Sequence, residues 1–399
     1  AWKDRAGLRT PFLVSVLIFG LGSLACAFAP SMLVLVVSRG FQGLGGGGLT
    51  AVSFAAVANY PEGLRIRMYS LNSTLWGVIS LGAPLLGGII TDTIGWRWIF
   101  LVNMPLCVFV LLLAQRGLAG SQPSDPGRPL PAGRAVLLAL TIGAAVAAPS
   151  ARGYVALPLV AVAIVLGWWY LRQERRAAVA IIPISAWLGR GPVGSTLHAT
   201  AFFTGSYTAA AVFLPLYLQE VRGESATMAG LALSAGGISW TCGSLIGAQG
   251  RGIWQKRMVI VAALMICVGG LAIAAQAWIG RLPLPLIVAT WSFAAVGMGM
   301  GLIHLMNWAI VFSPASQAGT VSAAVQSMRL IGSAAGAALM GALLHAIGAE
   351  QPRLQTSITA IYLLMAFIAL CAATVRRPRG VERKGSEPAE TPALVAVEA

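Results

Sequence analysis

Arg39 and Gln42 stand three residues apart in "VVSRGFQGLGGGGLT" (residues 36–50), within a run that is otherwise almost wholly apolar or glycine. A guanidinium and a carboxamide one helical turn apart can share a hydrogen bond and line a path for a proton or a polar solute. In a membrane-spanning helix Arg39 would lie about 12 Å deep at about 1.5 Å per residue. An arginine there costs about 2.5–3.5 kcal/mol, so it must face protein or water. Packing alone, with the guanidinium satisfied by a helix carbonyl, is the plainer alternative. His304 in "GMGMGLIHLMNWAIV" could carry a proton near neutral pH, or serve simply as a hydrogen-bonded packing residue. Arg329, three residues after Gln326, could balance charge or face a cavity. Tyr207, Tyr217, Trp240, Trp308 and Gln326 have the amphipathic character of a pocket for apolar ligands, and each could equally be an ordinary helix contact.

Several chemistries are excluded. Gly43, Gly45 and Gly48 satisfy G-x-G-x-x-G, but a dinucleotide site needs a short strand before the glycines, and a long apolar run surrounds them instead. Lys3, Lys256 and Lys384 each lack a preceding Gly, so there is no phosphate loop for ATP. The five cysteines lie in apolar runs with no C-x-x-C pair and no zinc-spaced histidine, so neither a metal site nor a disulfide is expected. No cluster of His, Asp or Glu gathers near one interface, which argues against an enzyme. No carboxylate lies well inside an apolar run; Asp92 and Glu220 fall near run ends.

The elements that carry these residues follow from composition. The chain has 399 residues, 57% of them hydrophobic and only 10% charged, with a mean hydropathy of +0.80; a soluble surface needs about 25% charge. The net charge of +15 comes from residues scattered between apolar runs, not from a patch with interleaved aromatics, so it does not indicate nucleic acid. Runs long enough to cross about 30 Å of hydrocarbon predict helices over 11–29, 31–58, 68–91, 97–116, 135–150, 153–171, 192–218, 226–249, 258–279, 283–312, 319–346 and 355–375. The fold class is therefore all-α and polytopic, with about twelve transmembrane helices and the lipid bilayer as its principal partner.

With twelve crossings, twenty of the 27 Lys and Arg residues fall on one side and five on the other, leaving Arg39 and Arg329 inside helices. Basic residues are retained on the cytoplasmic side, which places both termini of this chain there. A faint repeat, "KDRAGLRTPFLV" and "GRGIWQKRMVIV", fits two related halves or simply two basic loops. Small residues recur on two helices. Gly43, Gly46, Gly47 and Thr50 form one expected face for close approach of a neighbour. Ser73, Gly77, Ser80, Pro84, Gly87, Gly88 and Thr91 form another, with Pro84 permitting a bend.

"DRAGLR", holding Asp4, Arg5, Gly7 and Arg9, resembles the end of the D-R-x-G-R-K loop of the major facilitator superfamily. "RGFQGLGGG" resembles its R-x-x-Q-G-x-G helix. "LGAPLLGGIITDTIGWRWIFLVNMP" is similar to the antiporter motif and following signature of the 14-helix drug:proton antiporter branch, as are "LPLYLQEVRG" and "SMRLIGSAAGAAL". Ala83, Leu8, Thr10 and Asn59 depart from the family pattern. The resemblance implies a major facilitator fold with proton-coupled efflux of amphipathic or cationic small molecules by alternating access. Asp4, Arg5, Gly7 and Arg9 would form a cytoplasmic gating loop. Arg39, Gln42, His304 and Arg329 would serve a polar pathway, and Gly77, Pro84, Gly87 and Gly88 the antiporter motif. It implies no cofactor, the proton gradient as energy source, a monomer in the plasma (inner) membrane, and no nucleic-acid partner.

In the family the D-R-x-G loop joins the second and third helices, so registering the chain on it leaves two N-terminal helices missing. Residues 1–116 then correspond to the remainder of an N-terminal bundle, 117–190 to a central linker with two extra helices, 191–375 to a C-terminal bundle and 376–399 to a disordered cytoplasmic tail. A truncated, non-transporting remnant and a carrier for a metabolite rather than drugs remain open as alternatives.

Overall fold

A backbone in hydrocarbon must satisfy its own hydrogen bonds, and a continuous helix does so within one segment. The computed structural model describes residues 7–57, 62–117, 132–148, 156–177, 191–249, 253–280, 282–313, 318–350 and 352–374, and among them there are helices and turns but no strand. The helices are α1 (Arg9–Ala27), α2 (Met32–Val57), α3 (Glu62–Thr93), α4 (Trp98–Leu101 and Asn103–Gly117, broken at Val102), α5 (Ala132–Ala147) and α6 (Ala156–Arg175). Then come α7 (Gly191–Leu216, ending in a wide turn Tyr217–Val221), α8 (Ala226–Ala248), α9 (Ile253–Ile279), α10 (Leu284–Val311), α11 (Ala318–Ile347) and α12 (Arg353–Thr374). Asp4 and Arg5, most of the 117–134 loop and 172–190 linker, and the tail lie outside the described residues.

Eight of these helices are long and apolar enough to cross a membrane, and Val78–Thr93 and Ala132–Ala147 are shorter apolar stretches. Among the described residues the twelve expected runs thus lie on twelve helices of unequal apolarity. α2 carries Arg39, Gln42 and its glycine run, and α6 ends in "WWYLRQER", which lowers their apolar character. α3 begins well before its apolar run, at Glu62, because its charged first turns are still good helix formers.

α1 packs on α2 and on α4, much as α9 packs on α10 and on α12. α7 packs on α11, α8 on α10, α3 on α8, and α5 with α6 forms a hairpin that touches α11. The main core lies among α7 to α10 and α12, around Phe203, Tyr217, Ile266, Trp291 and Tyr362. Large apolar side chains such as Leu33, Leu86, Leu245 and Phe367 face outward, as a lipid-facing surface requires.

Since lipid is as apolar as leucine, helix pairs in it are held by close backbone approach. A Cβ at Gly45 would overlap the Phe19 backbone, and one at Gly22 would lie 2.5 Å from the Gln42 nitrogen. The same holds for Gly243 and Gly299 between α8 and α10, and for Gly332 and Gly336 between α11 and α7. This corrects the expected contact face of α2. Gly43 and Gly47 face open space, Gly46 meets only the Phe19 ring, and Thr50 is exposed; Gly45 and Gly48 make the close approach. The shift is a rotation of the contact by part of a turn, which a run of four consecutive glycines cannot specify.

Gly45→Val is therefore expected to cost about 1–3 kcal/mol through overpacking, while Gly43→Ala should stay within about 0.5 kcal/mol. Thermal unfolding in detergent compares the two; equal midpoints would contradict the assigned face.

Candidate functional site

The polar groups of α2 are satisfied by a chain running across three helices. Arg39 Nη1 donates to Gln42 Oε1 at 2.5 Å, and Gln42 Nε2 donates to Ser23 Oγ on α1 at 2.6 Å. Asn103 Nδ2, at the restart of α4, donates to the same Ser23 oxygen at 3.3 Å. Gln42 and Ser23 are buried, while Arg39 lies on the exposed side of α2 with its guanidinium 5.7 Å from the Phe100 ring centroid. The carboxamide thus faces its oxygen to the cation and its nitrogen to the interior, holding Arg39 at a fixed orientation. Sequence spacing identified Arg39 and Gln42; Ser23 and Asn103 were missed, because their contribution depends on which faces of α1 and α4 turn toward α2.

A second arginine is held in the same way. Arg329 Nη1 donates to Gln326 Oε1 at 2.9 Å, and its backbone carbonyl accepts from Thr204 Oγ1 at 3.1 Å. Thr208 donates to Ser333 Oγ at 3.0 Å one turn further along the same α7–α11 seam. His304 is buried, hydrogen-bonds the Gly247 backbone, and leaves Nε2 without a partner among the described residues.

The expected aromatic cavity is not one pocket. Tyr207 stacks on Trp291 with centroids 4.4 Å apart, and Trp240 meets Tyr207 edge-on at 5.8 Å. Gly236 leaves room for this group, since a Cβ there would lie 3.0 Å from the Tyr207 hydroxyl. Tyr217 instead pairs with Tyr362 at 6.5 Å, Trp308 packs at the edge of the main core, and Gln326 is engaged by Arg329. Trp291 gave no signal in the sequence, lying in an apolar helix without a polar neighbour at helical spacing.

Of the antiporter-motif residues, Pro84 and Gly88 lie on the seam between α3 and α8. Pro84 lacks an N–H for the Ser80 carbonyl, and that carbonyl faces Gly237, where a Cβ would lie 2.7 Å from it. The Pro84 carbonyl faces Gly230, and Gly88 faces the Ala226–Thr227 backbone. Ser234 Oγ donates to the Leu81 carbonyl at 2.6 Å. Gly87 faces open space, and Gly77 lies on the same helix two turns before Pro84. Of the loop motif, Gly7 adopts φ +71°, a left-handed turn into α1, and Arg9 opens that helix.

Asp92 closes one end of this seam, a role the sequence did not disclose. Its carboxylate accepts from the backbone N–H groups of Ala226 and Thr227 at 3.1 and 2.7 Å and from Thr227 Oγ1 at 2.6 Å. Ser225 accepts from Met228 N–H at 3.2 Å. Together they cap the N-terminus of α8, Ser225 from within the chain and Asp92 from another helix.

These features define a multi-pass, all-helical membrane protein whose polar groups concentrate on interhelical seams. The chain belongs to the Major Facilitator Superfamily, which it matches over residues 1–337. It is 32% identical over 389 residues to the uncharacterized transporter YebQ of Escherichia coli (strain K12), covering 94% of this chain and 82% of that protein. It is also 32% identical over 391 residues to the probable multidrug-efflux transporter Rv1634 of Mycobacterium tuberculosis, covering 93% and 80%. The fold resembles a crystal structure of an auto-inhibited POT family peptide transporter, with a TM-score of 0.63 at 18% identity, covering 96% of this chain and 85% of that one.

Removing the interhelical cap should free the α8 amides. Asp92→Ala is expected to raise hydrogen exchange in the peptide spanning residues 222–232 several-fold, and Asp92→Asn less, since an amide oxygen still accepts. Unchanged exchange in both variants would show that Asp92 does not hold the end of α8.

Proposed function

We propose that this chain is a secondary active transporter of the 14-helix drug:proton antiporter branch, exporting amphipathic or cationic small molecules against proton entry by alternating access. The α3–α8 contact carries the reading. It joins the two proposed rocking units, α1–α4 and α7–α12, through glycine faces and around Pro84, whose missing N–H permits a bend, a packing that permits one unit to move on the other. Relatives named as a probable multidrug-efflux transporter and as a multidrug transporter support the substrate class.

In this reading Arg39, oriented by Gln42 and Ser23, supplies the fixed positive charge of the polar pathway, and Arg329 supplies a second on the α7–α11 seam. His304 is the candidate proton carrier, since its Nε2 has no partner among the described residues. Tyr207 and Trp291 are buried against each other, and the half-buried Trp240 beside them is the aromatic group that would meet a cationic or flat apolar substrate. The protein acts as a monomer in the plasma (inner) membrane, uses the proton gradient without a cofactor, and has both termini of this chain on the cytoplasmic side, in line with its lysine and arginine distribution.

Proteoliposomes holding the protein and ethidium test this. An imposed pH gradient is expected to drive dye movement opposite to the protons, and collapsing the gradient with nigericin should stop it. Dye flux equal to that of empty vesicles would end the transport reading. Flux indifferent to the gradient would end the proton coupling. Arg39→Ala should slow gradient-driven flux at least about tenfold, equivalent to about 1.4 kcal/mol in the barrier, since it removes the charge that Gln42 and Ser23 orient, with normal membrane insertion. His304→Gln should flatten the pH dependence of flux while leaving dye binding intact.

A further inference from the structure

The end of α6 carries a groove of about 400 Å³ lined by Val165, Trp168, Trp169, Arg172, Gln173 and Arg176. We propose that it binds an anionic phospholipid, with the lipid phosphate at Arg172 and Arg176 and an acyl chain along Trp168, Trp169 and Val165.

The side chains are ordered along the helix as the parts of a lipid are ordered along the membrane normal. Leu157, Val160, Ile164 and Val165 are exposed and apolar; Trp168 and Trp169, 60% and 51% exposed, come next. Tryptophans prefer the headgroup boundary, and the two arginines follow. Val165, Trp168 or Trp169, Arg172 and Arg176 recur at three or four residues and so share one face. They span about 16 Å at about 1.5 Å per residue, the reach from headgroup into acyl chain. Tyr170 is buried on another face, and α6 packs on α5, leaving this face outside the bundle.

The charge of the groove is of one sign. The guanidinium of Arg172 lies 5.3 Å from the Trp168 ring centroid, which orients it along the groove. The one carboxylate in this turn, Glu174, is buried and ion-paired to Arg134 of α5 at 2.7 Å, so it does not neutralise the lining arginines. A phosphate suits two guanidiniums. A zwitterionic headgroup would bring its ammonium against them, whereas phosphatidylglycerol adds no cation. A cationic substrate is disfavoured for the same reason.

The purified protein is reconstituted in phosphatidylcholine vesicles containing a small fraction of either diazirine-bearing phosphatidylglycerol or diazirine-bearing phosphatidylcholine, and crosslinks are mapped by peptide mass spectrometry. The anionic probe is expected to label residues 165–176 at least about fivefold above the zwitterionic one, from the attraction of about one arginine to an anionic headgroup. Arg172→Gln with Arg176→Gln should bring the ratio on this segment to near one and leave labelling elsewhere unchanged. Equal labelling by the two probes in the wild-type protein would overturn the proposal and leave the tryptophans as a general interfacial anchor. Since that ratio is read on the wild-type chain, it decides the matter even if the double variant inserts poorly. Inorganic phosphate at millimolar concentration should not lower the ratio; if it abolishes the ratio, the groove is a free-anion site and the lipid assignment fails.

Discussion

Backbone-to-backbone approach is the constraint on which the rest depends. With no water to expel between helices, this protein holds them together by removing side chains from the contact. Gly22 and Gly45 do this between α1 and α2, Gly243 and Gly299 between α8 and α10, and Gly205, Gly332 and Gly336 between α7 and α11. Once backbones are this close, dispersion between them is large and the carbonyls of one helix come within reach of hydroxyls on the next. Thr204 to the Arg329 carbonyl and Ser234 to the Leu81 carbonyl are the result. Polar and small residues therefore share the same seams for a common reason, and the outer faces are left to leucine, valine and phenylalanine.

The two arginines inside the apolar helices follow from that arrangement. Each is paired with a glutamine three residues away, Arg39 with Gln42 and Arg329 with Gln326. A carboxylate partner would neutralise the charge; a carboxamide satisfies a donor and leaves the charge in place. In both helices the glutamine or the arginine backbone is tied to a hydroxyl of the neighbouring helix, Ser23 in one and Thr204 in the other. The arginine's position is then coupled to the separation of two helices, which a group that answers to helix movement requires.

Much of the fold was legible because bilayer thickness fixes element length, and among the described residues each of the twelve apolar runs lies on a helix, eight of these helices being long and apolar enough to cross a membrane. The candidate polar groups were legible too, since an arginine or histidine in an apolar run is conspicuous whatever surrounds it. Three things were not. The rotation of α2 on α1 could not be read from "GLGGGG", where any phase presents a glycine. The break of α4 at Val102 was not expected from a single apolar run, although Pro105 removes a hydrogen-bond donor just beyond it. The grouping of Tyr207 with Trp291, and of Tyr217 with Tyr362, depends on helix pairs that are distant in sequence, and aromatic residues in apolar helices carry no signal of their partner.

The seam between α3 and α8 differs from the others in how its polar contacts are distributed. Through its middle, at Ser80, Pro84 and Gly88, the two backbones meet across glycines, with the Ser234–Leu81 bond as a side-chain tie. At its end, three hydrogen bonds converge on the Asp92 carboxylate. Glycine contacts tolerate sliding and tilting because no side chain must leave a pocket, whereas a carboxylate bridging two adjacent amides is directional and fails within a short displacement. In the proposed alternating access, the middle of the seam would therefore act as the pivot and the Asp92 end as the contact that opens. The same carboxylate oxygens accept all three bonds, so the contact breaks as a unit, and the exposure of Asp92 lets water replace the bonds as they break. A closed end held this way is stable enough to define a state and weak enough to leave it.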